Sequence, residues 1–260
     1  MYYLFKVSLE KTFKELSRYK FNTLTQFIIF YILFMAMFLG IRGFGISLGV
    51  SPLNMGENLE GFIVGYFLWT IIVVAYSDIA YGIIDDANKG TLEQLNMSNL
   101  GLSKILIVRT VSYILYYILF SFILLFVIMK TTNNWLEIKV FSILIPILIG
   151  VFSILGIGLI CGGLALIFKK IQSLLNVIQY FLIGLVAVFP ESFVMSILLP
   201  FNYAARGVFS TMMGGCSFTD FRAVDYGIMV GNSLLYFILG LIIFNQCVKV
   251  AKRRGLLGQY

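Results

Sequence analysis

Apolar runs bounded by charged residues divide the chain into long segments at about 24–41, 61–84, 105–129, 140–168, 173–189 and 226–248. A helix needs roughly 20 predominantly apolar residues to cross the hydrocarbon core of a bilayer, and these runs come close to that length or exceed it. Two further apolar pieces, 192–199 and 203–213, are too short to cross and fall between the fifth and sixth runs. The pattern predicts an all-α integral membrane protein with six transmembrane helices and short helices in the outer leaflet before the last span. Ahead of the first run, Phe5, Leu9, Phe13, Leu16 and Tyr19 recur at three-to-four spacing while Lys6, Glu10, Lys11, Lys14, Glu15 and Arg18 fill the remaining surface. Residues 1–22 therefore read as an amphipathic helix lying at the membrane surface, followed by a six-span domain over 23–260. Charges interrupt this segment throughout, which excludes a secretory signal peptide.

Composition fits the pattern. Of 260 residues, 60% are hydrophobic and 12% charged, with a mean hydropathy of +0.96; a soluble domain runs about 25% charged. There is no histidine, which removes Ser–His and Cys–His nucleophile pairs and histidine metal sites. Cys161, Cys216 and Cys247 are too scattered for a C-x-x-C metal pair or a disulfide framework, so no metal, cofactor or catalytic residue is expected on this chain. No G-x-x-x-x-G-K-[ST] run occurs, so ATP is not held by a P-loop here. The positive-inside rule supplies orientation: with a cytoplasmic N-terminus, all but five of the 19 basic residues fall inside, the exceptions being Arg42, Lys130, Lys139, Arg206 and Arg222. Both termini are then cytoplasmic. The net charge of +7 is an orientation and lipid signal and does not indicate nucleic-acid binding.

The loop at 85–104, between the second and third spans, carries the most information. Thr91 with Gln94 three residues later has the form of a capping box, so a short helix should begin there. Gly90 permits a sharp turn, and Glu93 suits the positive end of the helix dipole. Leu92, Leu95 and Met97 would form a small apolar surface on a loop, of the kind that docks on a partner.

The run Gly90-Thr91-Leu92-Glu93-Gln94-Leu95, followed by Met97-Ser98, resembles the G-T-L-E-Q-L segment of the membrane-spanning permease subunits of ABC transporters of the type-2 export class. Leu199-Pro200-Phe201-Asn202-Tyr203-Ala204-Ala205-Arg206 is similar to that family's Pro-x-x-Tyr…Arg stretch before the last span. The surface helix and the six spans with both ends inside also agree, so the resemblance extends over essentially the whole chain. It departs at Asn99, where the family often has Pro. The resemblance implies a half-transporter in the plasma membrane that pairs with a second permease, identical or different. Two copies of a separate ATPase would carry ATP and Mg, and the helix at about 90–98 would be the coupling helix seated in the ATPase.

Polar groups within the spans are the other candidates. Asp78 lies near the cytoplasmic end of the second span, either as an interface carboxylate facing water or Lys89, or as an ion pair or gate. Gln172, Asn176 and Gln179 share one helix face and should avoid lipid, bonding between helices or lining a pathway. The resemblance places the first, second and fifth spans at the dimer interface. Pro190 ends the fifth run, Glu191 follows it, and the short helices over 190–224 read as re-entrant, with Arg206 a partner for Glu191. In the fourth span, Gly158 and Gly162 form a small-residue packing seam. Two other readings compete. An intramembrane aspartyl protease would need a second span carboxylate motif beside Asp78, and an ion-coupled or stand-alone carrier would show broken helices in both halves. The Phe- and Ile-rich spans favour an amphiphilic or apolar cargo.

Overall fold

The computed structural model describes residues 2–47, 52–168, 170–187, 189–190 and 192–255. Glu191 and the side chain of Leu16, both used above, lie outside the described residues. The described backbone forms α1 (Tyr2–Arg18), α2 (Lys20–Ser47), α3 (Pro52–Asn88), α4 (Leu92–Met97), α5 (Leu102–Thr132), α6 (Val140–Phe168), α7 (Gln172–Ala187), α8 (Phe193–Leu198), α9 (Asn202–Met212) and α10 (Ala223–Arg253). There is no strand among these residues.

Each of the six apolar runs is helical, and five of the helices are long and apolar enough to cross a membrane: α2, α3, α5, α6 and α10. The fifth expected span is shorter than six full spans require. Helix α7 has 16 residues, about 24 Å at 1.5 Å per residue against a core of about 30 Å. The run breaks at Phe189–Pro190, where proline offers no backbone N–H and its ring excludes a continuing helix. Even so, α7 runs antiparallel to α3: the Tyr76 hydroxyl donates to the Leu175 carbonyl at 3.2 Å near its start, and Val186 lies beside Gly65 near its end.

Helix α6 is the centre of the bundle, and its glycines let three neighbours approach closely. Gly156 meets the α10 backbone at Tyr236 and, reciprocally, Gly240 meets the backbone of Gly156; a Cβ at either position would overlap main-chain atoms. Gly163 lies against Cys247 of the same helix. The expected seam, Gly158 and Gly162, faces Tyr76, Ile79 and Ile83 of α3, and Gly150 lies under Phe201 and Ala204 at the start of α9. Small residues at these crossings bring backbones together where lipid supplies no hydrophobic drive for helices to associate. Helix α3 is buried nearly all round, from Ile63 to Ile83. Helix α2 is mostly exposed and is held to α3 by Phe34, whose ring centroid lies 5.5 Å from Phe62 and 5.1 Å from Tyr66, and by a 2.7 Å hydrogen bond from the Tyr66 hydroxyl to the Phe30 carbonyl.

Between α7 and α10 the chain turns back into the bundle. Helix α8 enters, the turn at Leu199–Phe201 sits beside Gly150, and α9 runs back along α6 until the Glu137 amide donates to the Met212 carbonyl at 3.2 Å. The hairpin's free carbonyls are met by side chains. Asn232 donates to Ile197 at 2.6 Å and Leu199 at 3.3 Å, Tyr236 to Leu198 at 2.7 Å, and Asn202 back to Leu185 at 2.9 Å. Unpaired backbone groups at this depth would each cost several kcal/mol, which explains the polar residues on the apolar helix α10. Phe201 takes φ +65° at the turn, an uncommon conformation for a bulky residue, and its ring is locked against Gly150.

Candidate coupling loop and the cavities beside it

The last turn of α3, the loop and the first turns of α5 form one hydrogen-bonded unit. The Gly90 amide donates to Ala87 at 3.0 Å and the Thr91 amide to Asp86 at 2.9 Å, while Gly90 adopts φ +69°, which L side chains rarely take. Helix α4 then spans Leu92–Met97, as the sequence predicts, but the capping box does not form. Thr91 is in the αR region and makes no cap bond; its hydroxyl donates back to the Asp86 carbonyl at 3.1 Å and approaches the Asp86 carboxylate at 3.4 Å. The tight Gly90 turn brings Thr91 over α3, so its hydroxyl ties the loop to the preceding helix. A second left-handed glycine, Gly101 at φ +76°, precedes α5.

The apolar face of α4 divides. Leu92 is 1% exposed and belongs to the core, Leu95 is half-buried, and Met97 is 82% exposed. Leu92 therefore anchors the helix to its own bundle. Glu93, Gln94 and Met97 form its outward surface.

Behind α4 lies a polar cleft of about 530 Å3 between α1, α3, α4 and α5, lined by Ser8, Lys11, Thr12, Glu15, Asp78, Asp85, Asp86, Lys89, Thr91, Arg109 and Tyr113, with Gly82, Leu95 and Ile105. Arg109 donates to Asp86 at 2.7 Å, both largely buried. It lies directly over Gly82, where any side chain would displace the guanidinium. Asp78 accepts from the Thr110 hydroxyl and borders the same cleft. Lys89 does not reach Asp78; it pairs with Asp85 at 2.5 Å, and that hydrogen bond and charge hold its ammonium above the ordinary lysine pKa. Arg109 and Gly82, which organise the cleft, escaped the sequence reading. Arg109 looked like a basic residue at a span end, and nothing along the chain pairs residue 109 with residues 82 and 86.

Helix α1 forms the outer wall of the cleft. Its expected apolar stripe splits: Phe5 and Leu9 are half-buried, whereas Phe13 is 61% and Tyr19 57% exposed. The neighbour it packs on is α5, where the lining is polar, so Ser8 and the buried Thr12 turn inward.

The remaining candidates lie elsewhere. On α7, Leu175, Leu182 and Val186 are buried, leaving Gln172 and Asn176 exposed and Gln179 half-buried. The Tyr81 hydroxyl donates to the Asn176 side-chain oxygen at 2.5 Å. At the end of the bundle opposite α4, an apolar cavity of about 570 Å3 is lined by Met37 and Ile41 of α2, Phe62, Tyr66 and Trp69 of α3, Ile183 and Val186 of α7, and Phe189, Phe209 and Met213, with no charged residue in its wall. Arg206 donates to the Pro190 carbonyl at 3.1 Å and its guanidinium lies 5.7 Å from the centre of the Phe189 ring. Its expected partner, Glu191, lies outside the described residues.

The fold and these cavities define the class: an α-helical, multi-pass membrane protein. No protein-family model, curated protein or solved structure matches this chain.

Proposed function

We propose that this chain is the permease half of an ATP-driven exporter of the ABC type-2 class, working as a dimer and driven by a separate ATPase that carries ATP and Mg. The observation that carries the reading is α4. It is a short amphipathic helix anchored inward by Leu92, presenting Glu93, Gln94 and Met97 outward, and bonded through Asp86 to two long membrane helices. A push on α4 reaches α3 through the Thr91–Asp86 bonds and α5 through Asp86–Arg109. In this reading α4 and both chain termini are cytoplasmic, and the membrane is the cell's plasma membrane. The apolar cavity between α2, α3 and α7 is where a pathway for amphiphilic cargo would pass. The edge of α7 that carries the exposed Gln172 and Asn176 and the half-buried Gln179 would be covered by the second permease, which removes amides from lipid.

The test is co-purification with a co-expressed ATPase encoded beside this gene. The wild-type chain should form a stable complex with substrate-dependent ATP turnover, and Glu93→Lys should lower complex recovery at least about tenfold, the effect of a misplaced interfacial charge. If no ATPase copurifies, and transport by cells survives Glu93→Lys, the proposal is wrong.

A further inference from the structure

The polar cleft holds two ion pairs of the same form on opposite walls. On α1, Lys11 pairs with Glu15 at 3.7 Å; on the last turn of α3, Asp85 pairs with Lys89 at 2.5 Å. All four side chains are more than half exposed and all four line the one cleft. The two pairs share an i,i+4 spacing, one helical turn, and carry their charges in opposite order, base then acid on α1 and acid then base on α3. The charges of Lys11 and Glu15 fall within electrostatic range of the facing walls, at Asp78 and Lys89 on the α3 side and Tyr113 on α5. Beneath them Arg109–Asp86 is only 24% and 15% exposed and keeps its partners.

We propose that α1 is a strap that closes over this cleft by exchange of ion-pair partners, Lys11 passing from Glu15 to Asp85 as Glu15 takes Lys89. Two pairs within helices become two pairs between helices, with no net loss, so the open and closed arrangements are close in free energy and small forces select between them. Equal spacing makes both exchanges occur together. The consequence falls on α4. Lys89 directly precedes the Gly90 turn, so the closed strap ties that turn to α1, which also exposes Tyr3, Val7 and Phe13. As regulation of the docking helix, this inference rests on the proposed function; the closure itself does not require it.

The test uses the full chain in lipid nanodiscs, with no ATPase added. Cys161 and Cys247 are buried, so replacing Cys216 by Ser leaves room for spin labels at Ser17→Cys and Asn88→Cys, both exposed positions. Pulsed electron–electron distances in the otherwise wild-type chain should show a short and a long population. Lys11→Glu with Glu15→Lys keeps an ion pair within α1 in its favourable order and sets like charges opposite Asp85 and Lys89. The short population should then fall roughly tenfold relative to the long one, the scale of two exposed attractions turned into repulsions. Adding Asp85→Lys with Lys89→Asp should restore it. A single distance in the unreversed chain, indifference to the reversal, or failure of the four-residue variant to restore the short population would each overturn the strap. Failure of the ATPase to bind would sink the exporter reading and leave these distances as they are.

Discussion

Leu92 and Met97 share one short helix and do opposite things, and mutation should separate them. Leu92→Ala removes a fully buried side chain from the core and should lower stability by about 3 kcal/mol, read as a loss of thermal midpoint in detergent-solubilised protein. Met97→Ala touches no core and should leave that midpoint unchanged; under the proposed function it should also weaken ATPase recovery. An equal midpoint for the two variants would contradict the inward anchoring of α4. Thr91 shows why a local motif can mislead. Its hydroxyl has two kinds of partner within reach in principle, the N–H donors that open the helix ahead of it and a carbonyl acceptor on the helix behind, and the Gly90 turn places Asp86 nearer.

At the scale of elements, two arrangements hold the bundle and each exposes itself to a single change. The α8–α9 hairpin depends on Asn232, whose amide reaches two carbonyls at once. Asn232→Ala leaves both half-buried acceptors without this donor and should cost about 1–2 kcal/mol, with faster proteolysis near the hairpin; Asn232→Asp, which offers no donor when ionised, should be no better. Helices α6 and α10 meet backbone to backbone at Gly156 and Gly240. Gly156→Ala should therefore cost at least about 2 kcal/mol by forcing the helices apart. Gly184→Ala on α7, with open space around it, should change stability by less than about 1 kcal/mol. Similar midpoints for the two glycine variants would count against the crossing.

For the whole molecule, the arrangement of ends is the testable property. The Ser103 hydroxyl bonds Asn245 at 2.6 Å and α1 packs on α5 beside Arg109, so α4, α1 and the end of α10 gather at one end of the bundle, while α8–α9 and the α5–α6 turn occupy the other. In the orientation proposed above, cysteines placed singly at Ser17, Lys170 and Lys252 on a Cys216→Ser background should react with a membrane-impermeant maleimide only after cells are permeabilised. Trp135→Cys, at the opposite end, should react in intact cells. Labelling of Lys170 with Trp135 would reverse the direction assigned to α7.

How much of this was legible follows from where the information lies. The apolar runs and the breaks at charges and at Pro190 depend on hydropathy and backbone chemistry, which are local, and the sequence determined them alone; the short helix after Gly90 was legible too, although the capping box that pointed to it does not form. The small-residue partners on α6 were visible as a seam, but α6 carries three glycine faces, and only tertiary packing assigned Gly158 and Gly162 to α3, Gly156 and Gly163 to α10, and Gly150 to α9. The inward turn of Leu92, the bond from Thr91 to Asp86, the Arg109–Asp86 pair over Gly82 and the service of Asn232 and Tyr236 to a distant hairpin each join positions far apart along the chain or choose between competing neighbours. In a bilayer almost every surface is apolar, so hydrophobic pattern identifies which helices enter it and says little about which face meets which. That choice is made by close approach at glycine and by the need of each buried polar group for a partner, and both are decided only when the helices are packed.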